Sequence, residues 1–179
     1  GRAAELAVIS SVADRSDLQT ERAVDELARR GIAEPQGERA VFVHDLLVER
    51  VYAATPEPVR VALHRRAAAA LSTSGDPGTL AWHRERAGDL TGAREAYALA
   101  AEQAVARLQL REAELRYRDA LRLSAPGGEV PLRVALVRSV LLPLGRPAEA
   151  ERELREVLSA LADGTERVEV LLDLGRAVA

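Results

Sequence analysis

The chain contains no cysteine, no lysine, no methionine and no asparagine. Without cysteine there is no disulfide framework, no thiolate zinc site and no thiol nucleophile. Without lysine there is no phosphate-binding lysine of a P-loop, and no Schiff-base or general-base lysine. All 25 cationic side chains are therefore arginine, set against 28 Asp and Glu for a net charge of −3. Aromatic residues fill only 3% of the 179 positions, which leaves little of the side-chain mixture that extended sheets prefer. No apolar run of membrane-spanning length occurs and no signal peptide opens the chain, so the expectation is no membrane contact and a cytoplasmic home.

What the chain has instead is alanine and leucine, 34 and 26 residues, a third of its length. With Arg and Glu these are the strongest helix formers, so the sequence predicts a mainly α, globular protein of one large or two small domains. Charge is spread evenly, with 12 acids and 10 Arg up to Gly78 and 16 acids and 15 Arg after it. Neither half is basic enough to be drawn to nucleic acid by charge alone. The chain stops inside the apolar run Val170-Leu171-Leu172-Asp173-Leu174-Gly175 and reads as a piece of something longer.

Breakers divide the sequence into helix-sized pieces, predicted at 3–13, 20–30, 44–54, 57–72, 79–87, 91–107, 110–123, 131–144, 147–162 and 165–178. Thr20, Pro56, Thr91, Pro131, Pro147 and Thr165 supply start signals, while Gly31, Gly75, Gly88, Gly145 and Gly164 fall where helices should end. The loop Ser72–Gly78 is the strongest domain boundary, giving domains at 1–72 and 79–179, and Ala125–Gly128 is a shorter break. One stretch breaks the helical pattern. Gly31–Glu34 and Arg39–Val43 read as two short strands around the turn Pro35-Gln36-Gly37-Glu38. A helix at 20–30 followed by such a hairpin has the outline of a winged helix. Ala23, Val24, Leu27, Ala28 and Ile32 would bury against Leu6, Ile9 and Val12, with Leu47, Val48 and Val51 of the next helix joining the same core.

The second half repeats itself. Ala113, Tyr117, Ala120 and Leu121 stand at offsets 0, 4, 7 and 8, and Ala150, Leu154, Val157 and Leu158 stand at the same offsets 37 residues later, with Gly145 five residues ahead of the second set. Small residues at that spacing let helices approach closely and the large ones interlock. The pattern resembles the second helix of a tetratricopeptide repeat, whose period is about 34 residues, with the extra length in the Pro126-Gly127-Gly128 loop. The resemblance implies antiparallel helix pairs stacked into an α-solenoid, with a third pair beginning at Thr165.

Little in the sequence suggests catalysis. The three histidines, His44, His64 and His83, lie 20 and 19 residues apart with no metal-ligand spacing, and His64 and His83 read as half-buried helix residues bonded locally. No nucleophile elbow or phosphate-cradling glycine loop occurs. Glu112–Arg116, Glu114–Arg118 and Glu151–Arg155 are favourable i,i+4 pairs, which read as solvated helix faces. The helix at 20–30 balances Glu21, Asp25 and Glu26 against Arg22, Arg29 and Arg30, so direct DNA contact is not expected.

The string Val41-Phe42-Val43-His44-Asp45-Leu46-Leu47-Val48-Glu49-Arg50-Val51-Tyr52, followed by Leu63-His64-Arg65-Arg66-Ala67 and Trp82-His83-Arg84-Glu85-Arg86-Ala87-Gly88-Asp89, resembles the winged-helix end of bacterial STAND ATPases of the LuxR and SARP types. The likeness covers residues 4–162. It implies a winged helix lying between an upstream P-loop ATPase and a tetratricopeptide sensor. ATP or ADP then belongs to the parent's nucleotide domain and no cofactor to this segment. By position, His44 matches a histidine that touches the nucleotide's terminal phosphate; it could equally cap its helix or pack beside Tyr52. The winged helix is short between Ala13 and Thr20, as if a helix were reduced to Ser16-Asp17-Leu18. The function this implies is non-enzymatic: the winged helix gates the nucleotide domain in cis, and the repeats bind a protein partner or small effector. A DNA-binding winged helix and a structural or oligomerisation scaffold are the alternatives.

Overall fold

The computed structural model describes residues 3–73, 75–161 and 165–178; Ser74 and Gly164, named above in a linker and at a helix end, lie outside them. The protein is mainly helical with one small antiparallel sheet. It forms two compact units, Gly1–Asp89 and Leu90–Ala179. The division falls one helix later than the Ser72–Gly78 loop, because the helix after that loop packs on the helix before it.

The first unit starts with strand β1, Ala3–Glu5, and helix α1, Leu6–Ala13. The sequence predicts helix from residue 3. Ala3–Glu5 instead pairs with a strand formed by residues almost forty positions later, and Leu6 N–H donates to Glu38 C=O at 2.8 Å where strand becomes helix. Helix α2, Asp17–Arg29, begins three residues before the predicted start. Ser16 Oγ accepts from Gln19 N–H and Gln19 Oε1 accepts from Ser16 N–H, a reciprocal cap that satisfies two orphan donors. Thr20 is thereby released from capping; it is buried and its hydroxyl accepts from Ser10 Oγ at 2.9 Å. The segment Ser16-Asp17-Leu18 is thus the first turn of α2, not a lost helix.

Strands β2, Ala33–Gln36, and β3, Arg39–Phe42, form a hairpin as expected, but the first strand runs two residues further than predicted. Pro35 and Gln36 pair with β3 and the turn is confined to Gly37-Glu38, with Gly37 at φ +60°, a conformation glycine adopts without steric cost. The sheet order is β1-β3-β2, with Pro35 on an edge strand where its missing N–H is tolerated. Helix α3, Asp45–Ala54, follows. It contributes no buried residue: Leu47 and Val48 are half-buried and Val51 is 60% exposed, so the expected core role of this helix is not realised. Helix α4, Glu57–Leu71, packs on α1, and α5, Pro77–Arg86, packs on α4; Ala67 and Ala68 of α4 and Ala81 of α5 are buried. Asp76 starts α5 by accepting from Thr79 N–H at 2.8 Å, with Pro77 at the first helical position.

The second unit pairs α6, Leu90–Ala106, with α7, Leu110–Arg122. The buried side chains of the two helices are small, Ala93, Ala96, Ala101, Ala104, Ala113 and Ala120, which lets backbones come close, with Tyr97 and Tyr117 as the large ones. The chain turns between them at Leu108, whose φ is +59° and whose side chain is 84% exposed. A left-handed conformation costs a β-carbon residue about 1–2 kcal/mol. Leu108→Gly removes that cost and loses part of the gain to the freer unfolded chain, so urea denaturation should show a stabilisation of about 0.5–1 kcal/mol.

Helix α8, Val130–Leu136, runs into a π-helical segment, Val137–Leu141, where Leu142 N–H donates to Val137 C=O at 3.1 Å. The sequence predicts a regular helix over 131–144; the wider turn inserts one residue and keeps Leu136, Val137, Val140 and Leu141 fully buried. Helices α9, Pro147–Ala160, and α10, Thr165–Val178, complete the unit. Each helix packs on its neighbour in sequence, and α7 also packs on the π-helical segment, an arrangement compatible with an α-solenoid.

Candidate functional site

His44 sits at the residue preceding α3, exposed, with no hydrogen bond from its ring to the helix end. It does not pack beside Tyr52, which turns instead to His64. Around His44 lies a shallow groove of about 560 Å3 lined by Val43, His44, Asp45, Leu46, Leu47 and Arg50. Leu46 is 76% exposed on its rim. The groove therefore offers apolar surface beside an imidazole, a guanidinium and the Asp45 carboxylate. That combination suits docking against another protein surface, and the imidazole can donate to an anionic group there.

His64 and His83 are brought together, which their 19-residue separation on different helices does not reveal. Their Nδ1 atoms lie 3.0 Å apart, and His64 Nε2 is 3.1 Å from Tyr52 Oη. Trp82 stands edge-on to both rings with centroids 4.9 Å away, Arg60 lies over Tyr52 and Arg86 over Trp82. Burial, helped by the charges of Arg86 and Arg60, holds His64 below the usual imidazole range, and burial next to His64 pushes His83 down to about 4. The unfolded chain, with ordinary imidazoles, binds more protons than the folded one between about pH 6.5 and 4. The contribution of His83 is therefore complete above pH 6.5 and is lost as pH falls toward 4. After allowance for solvent screening of a half-exposed ring it amounts to about 1–2 kcal/mol. Thermal melts of wild type should drop across that window, and His83→Gln should flatten the drop.

In the second unit the repeat residues lie where helices meet. Ala113, Tyr117, Ala120, Ala150, Leu154 and Val157 are buried, and Leu121 and Leu158 pack against them half-buried. Gly145, with φ +67°, reverses the chain before α9. Sequence reading missed a set of ion pairs between helices. Arg146 binds Glu114 at 2.5 Å and Glu149 at 2.6 Å, holding both carboxyls below their usual range, while its own pKa rises. Arg118 and Arg133 clasp Glu153, and Arg138 binds Asp173 at 2.5 Å with Arg176 at 3.0 Å. Glu153 is 5% exposed and Asp173 1%. The Glu114–Arg118 pair, read as a solvated face, belongs to this network.

Among the described residues no three His, Cys, Asp or Glu are grouped to hold a metal ion, and no helix is long and apolar enough to cross a membrane. Compared with known proteins, the chain matches no family model, no curated protein and no solved structure.

Proposed function

We propose that the chain is a regulatory and protein-interaction segment of a STAND-type signalling or transcriptional regulator. In this reading the first unit is a winged helix that gates a nucleotide domain preceding it in cis. The second is a set of tetratricopeptide-like helix pairs that receives a protein partner or small effector. The observation that carries it is α3: a formed helix of ten residues, bearing His44 at its start and an open groove, yet without a fully buried residue. Helices this short are marginal in water without packing, so α3 is suited to being covered by another domain. Two further observations support the reading. A helix–turn–helix leads into a hairpin that takes a third strand from ahead of α1, and in the second unit consecutive helices pack on one another, the kind of contact from which repeat proteins build their binding surfaces.

Direct DNA reading by α2 is not part of this proposal. Its exposed charged side chains are Asp17, Glu21, Asp25 and Glu26 against Arg22, Arg29 and the capping Arg30, and a phosphate-contacting helix needs the opposite balance. A gel-shift series at rising salt should show no complex; a steep salt slope would favour the DNA-binding alternative. Calorimetric titration tests the proposal itself. The chain alone should bind neither ATP nor ADP, and His44→Ala in the parent protein should change its ATPase rate without unfolding this segment. Tight ATP binding by the isolated chain would overturn it.

A further inference from the structure

The His64–His83 contact has a property that neither residue has alone. The two Nδ1 atoms face each other at 3.0 Å, so one must carry a hydrogen and the other a lone pair. With both rings neutral this is satisfied in either direction. If His83 donates, His64 carries its proton on Nε2 and donates to Tyr52 Oη; if His64 donates, its Nε2 accepts from the Tyr52 hydroxyl. One added proton is accommodated, since an imidazolium still donates to a neutral ring. A second proton places N–H against N–H and two positive charges side by side.

We propose that the Tyr52–His64–His83 chain is a proton-gated latch, which fastens α3 and α5 onto α4 while at least one imidazole is neutral and releases α5 when both are protonated. Tyr52 reaches in from α3, His64 belongs to α4 and His83 to α5, so one line of hydrogen bonds ties three helices. The charged groups acting on His64 are Arg60 of its own helix and Arg86 of α5, both cationic, so they oppose the doubly protonated state. Helix α1, which packs on α4, carries no ionisable side chain over Leu6–Ala13. His64 is 7% exposed, so water cannot readily replace the lost bond. Release therefore means separation of α5 from α4, the contact that makes α5 part of the first unit.

Amide exchange resolved by segment tests this directly. After correction for intrinsic rates, α5 amides should exchange at least about tenfold faster near pH 4.5 than at pH 7. The emission of Trp82, the sole tryptophan, should change with the same midpoint. His83→Gln keeps a donor for His64 Nδ1 and cannot take the second proton, so it should retain the protection seen at pH 7 and lose the acid response. His64→Gln should behave likewise, whereas Tyr52→Phe should loosen α3 and leave the α5 response in place. Equal α5 protection at both pH values in wild type, or an acid response that survives in both glutamine variants, would overturn the latch. Should both variants unfold, ring nitrogen shifts in wild type decide. A coupled two-step titration supports the latch, and two independent curves near the ordinary imidazole value refute it.

Discussion

Leu154→Ala is expected to destabilise the second unit by about 3 kcal/mol, read as the shift of its urea transition. Leu154 is fully buried in the cluster formed by Leu136, Val137, Val140, Leu141 and Val157, so truncation removes apolar contact and leaves a cavity that fixed helices cannot close. The converse substitution should also be costly. Ala150, one turn earlier on α9, is equally buried, and Ala150→Leu forces bulk into a site where close helix approach depends on its absence, at about 2 kcal/mol. Leu115→Ala serves as the control: Leu115 is 50% exposed, and its truncation should move stability by less than about 0.5 kcal/mol. This contrast tests the alternation of small and large positions on which the helix stack rests. Equal costs at Leu154 and Leu115 would show that α9 does not pack as described.

Arg138→Ala should cost about 2–3 kcal/mol, by a different route. It strands the Asp173 carboxylate, which is 1% exposed, leaving Arg176 of the same helix as its cationic partner among the described residues. Removing one partner of a buried pair costs more than the pair contributes, because the remaining charge has lost its solvation as well as its counterion. The double variant Arg138→Met with Asp173→Leu should therefore recover most of the loss, leaving α10 attached to the π-helical segment by apolar packing. A double variant as unstable as Arg138→Ala alone would place the cost in packing of the arginine stem instead.

These side chains mark how far the sequence could be read. Helix positions were legible because the breakers are unambiguous: Gly145 and Pro147 bracket the start of α9, and Pro35-Gln36-Gly37-Glu38 announces the hairpin. Both errors at the start of the chain concern non-local or competing signals. Ala3-Ala4-Glu5 has helical composition and becomes a strand only because β3 offers an open edge. Thr20 and Ser16 both qualify as caps, and Ser16 prevails because Gln19 completes the reciprocal pair. Amphipathic spacing placed Leu47, Val48 and Val51 on one face, yet periodicity does not say whether a partner exists for that face.

The candidate site was less legible for the same reason. His44 could be singled out from its place after the hairpin, but its exposure and the groove beside it are tertiary facts. The His64–His83 bond joins two helices, and the arginine clasps on Glu153 and Asp173 join others. Counting i,i+4 partners on a single helix cannot find such contacts. The π-helical turn that keeps four apolar residues inward likewise has no signature in residue type.

The proposal that the first unit gates a nucleotide domain through α3 is tested most directly by amide exchange over Asp45–Ala54, in this chain alone and in the chain joined to its upstream nucleotide domain. In the isolated chain α3, tethered at Tyr52 but without a buried residue, should exchange faster than α4. In the joined protein its protection should rise at least about tenfold in one nucleotide state, ADP or ATP, and fall back in the other. Identical exchange in all three conditions would contradict the account.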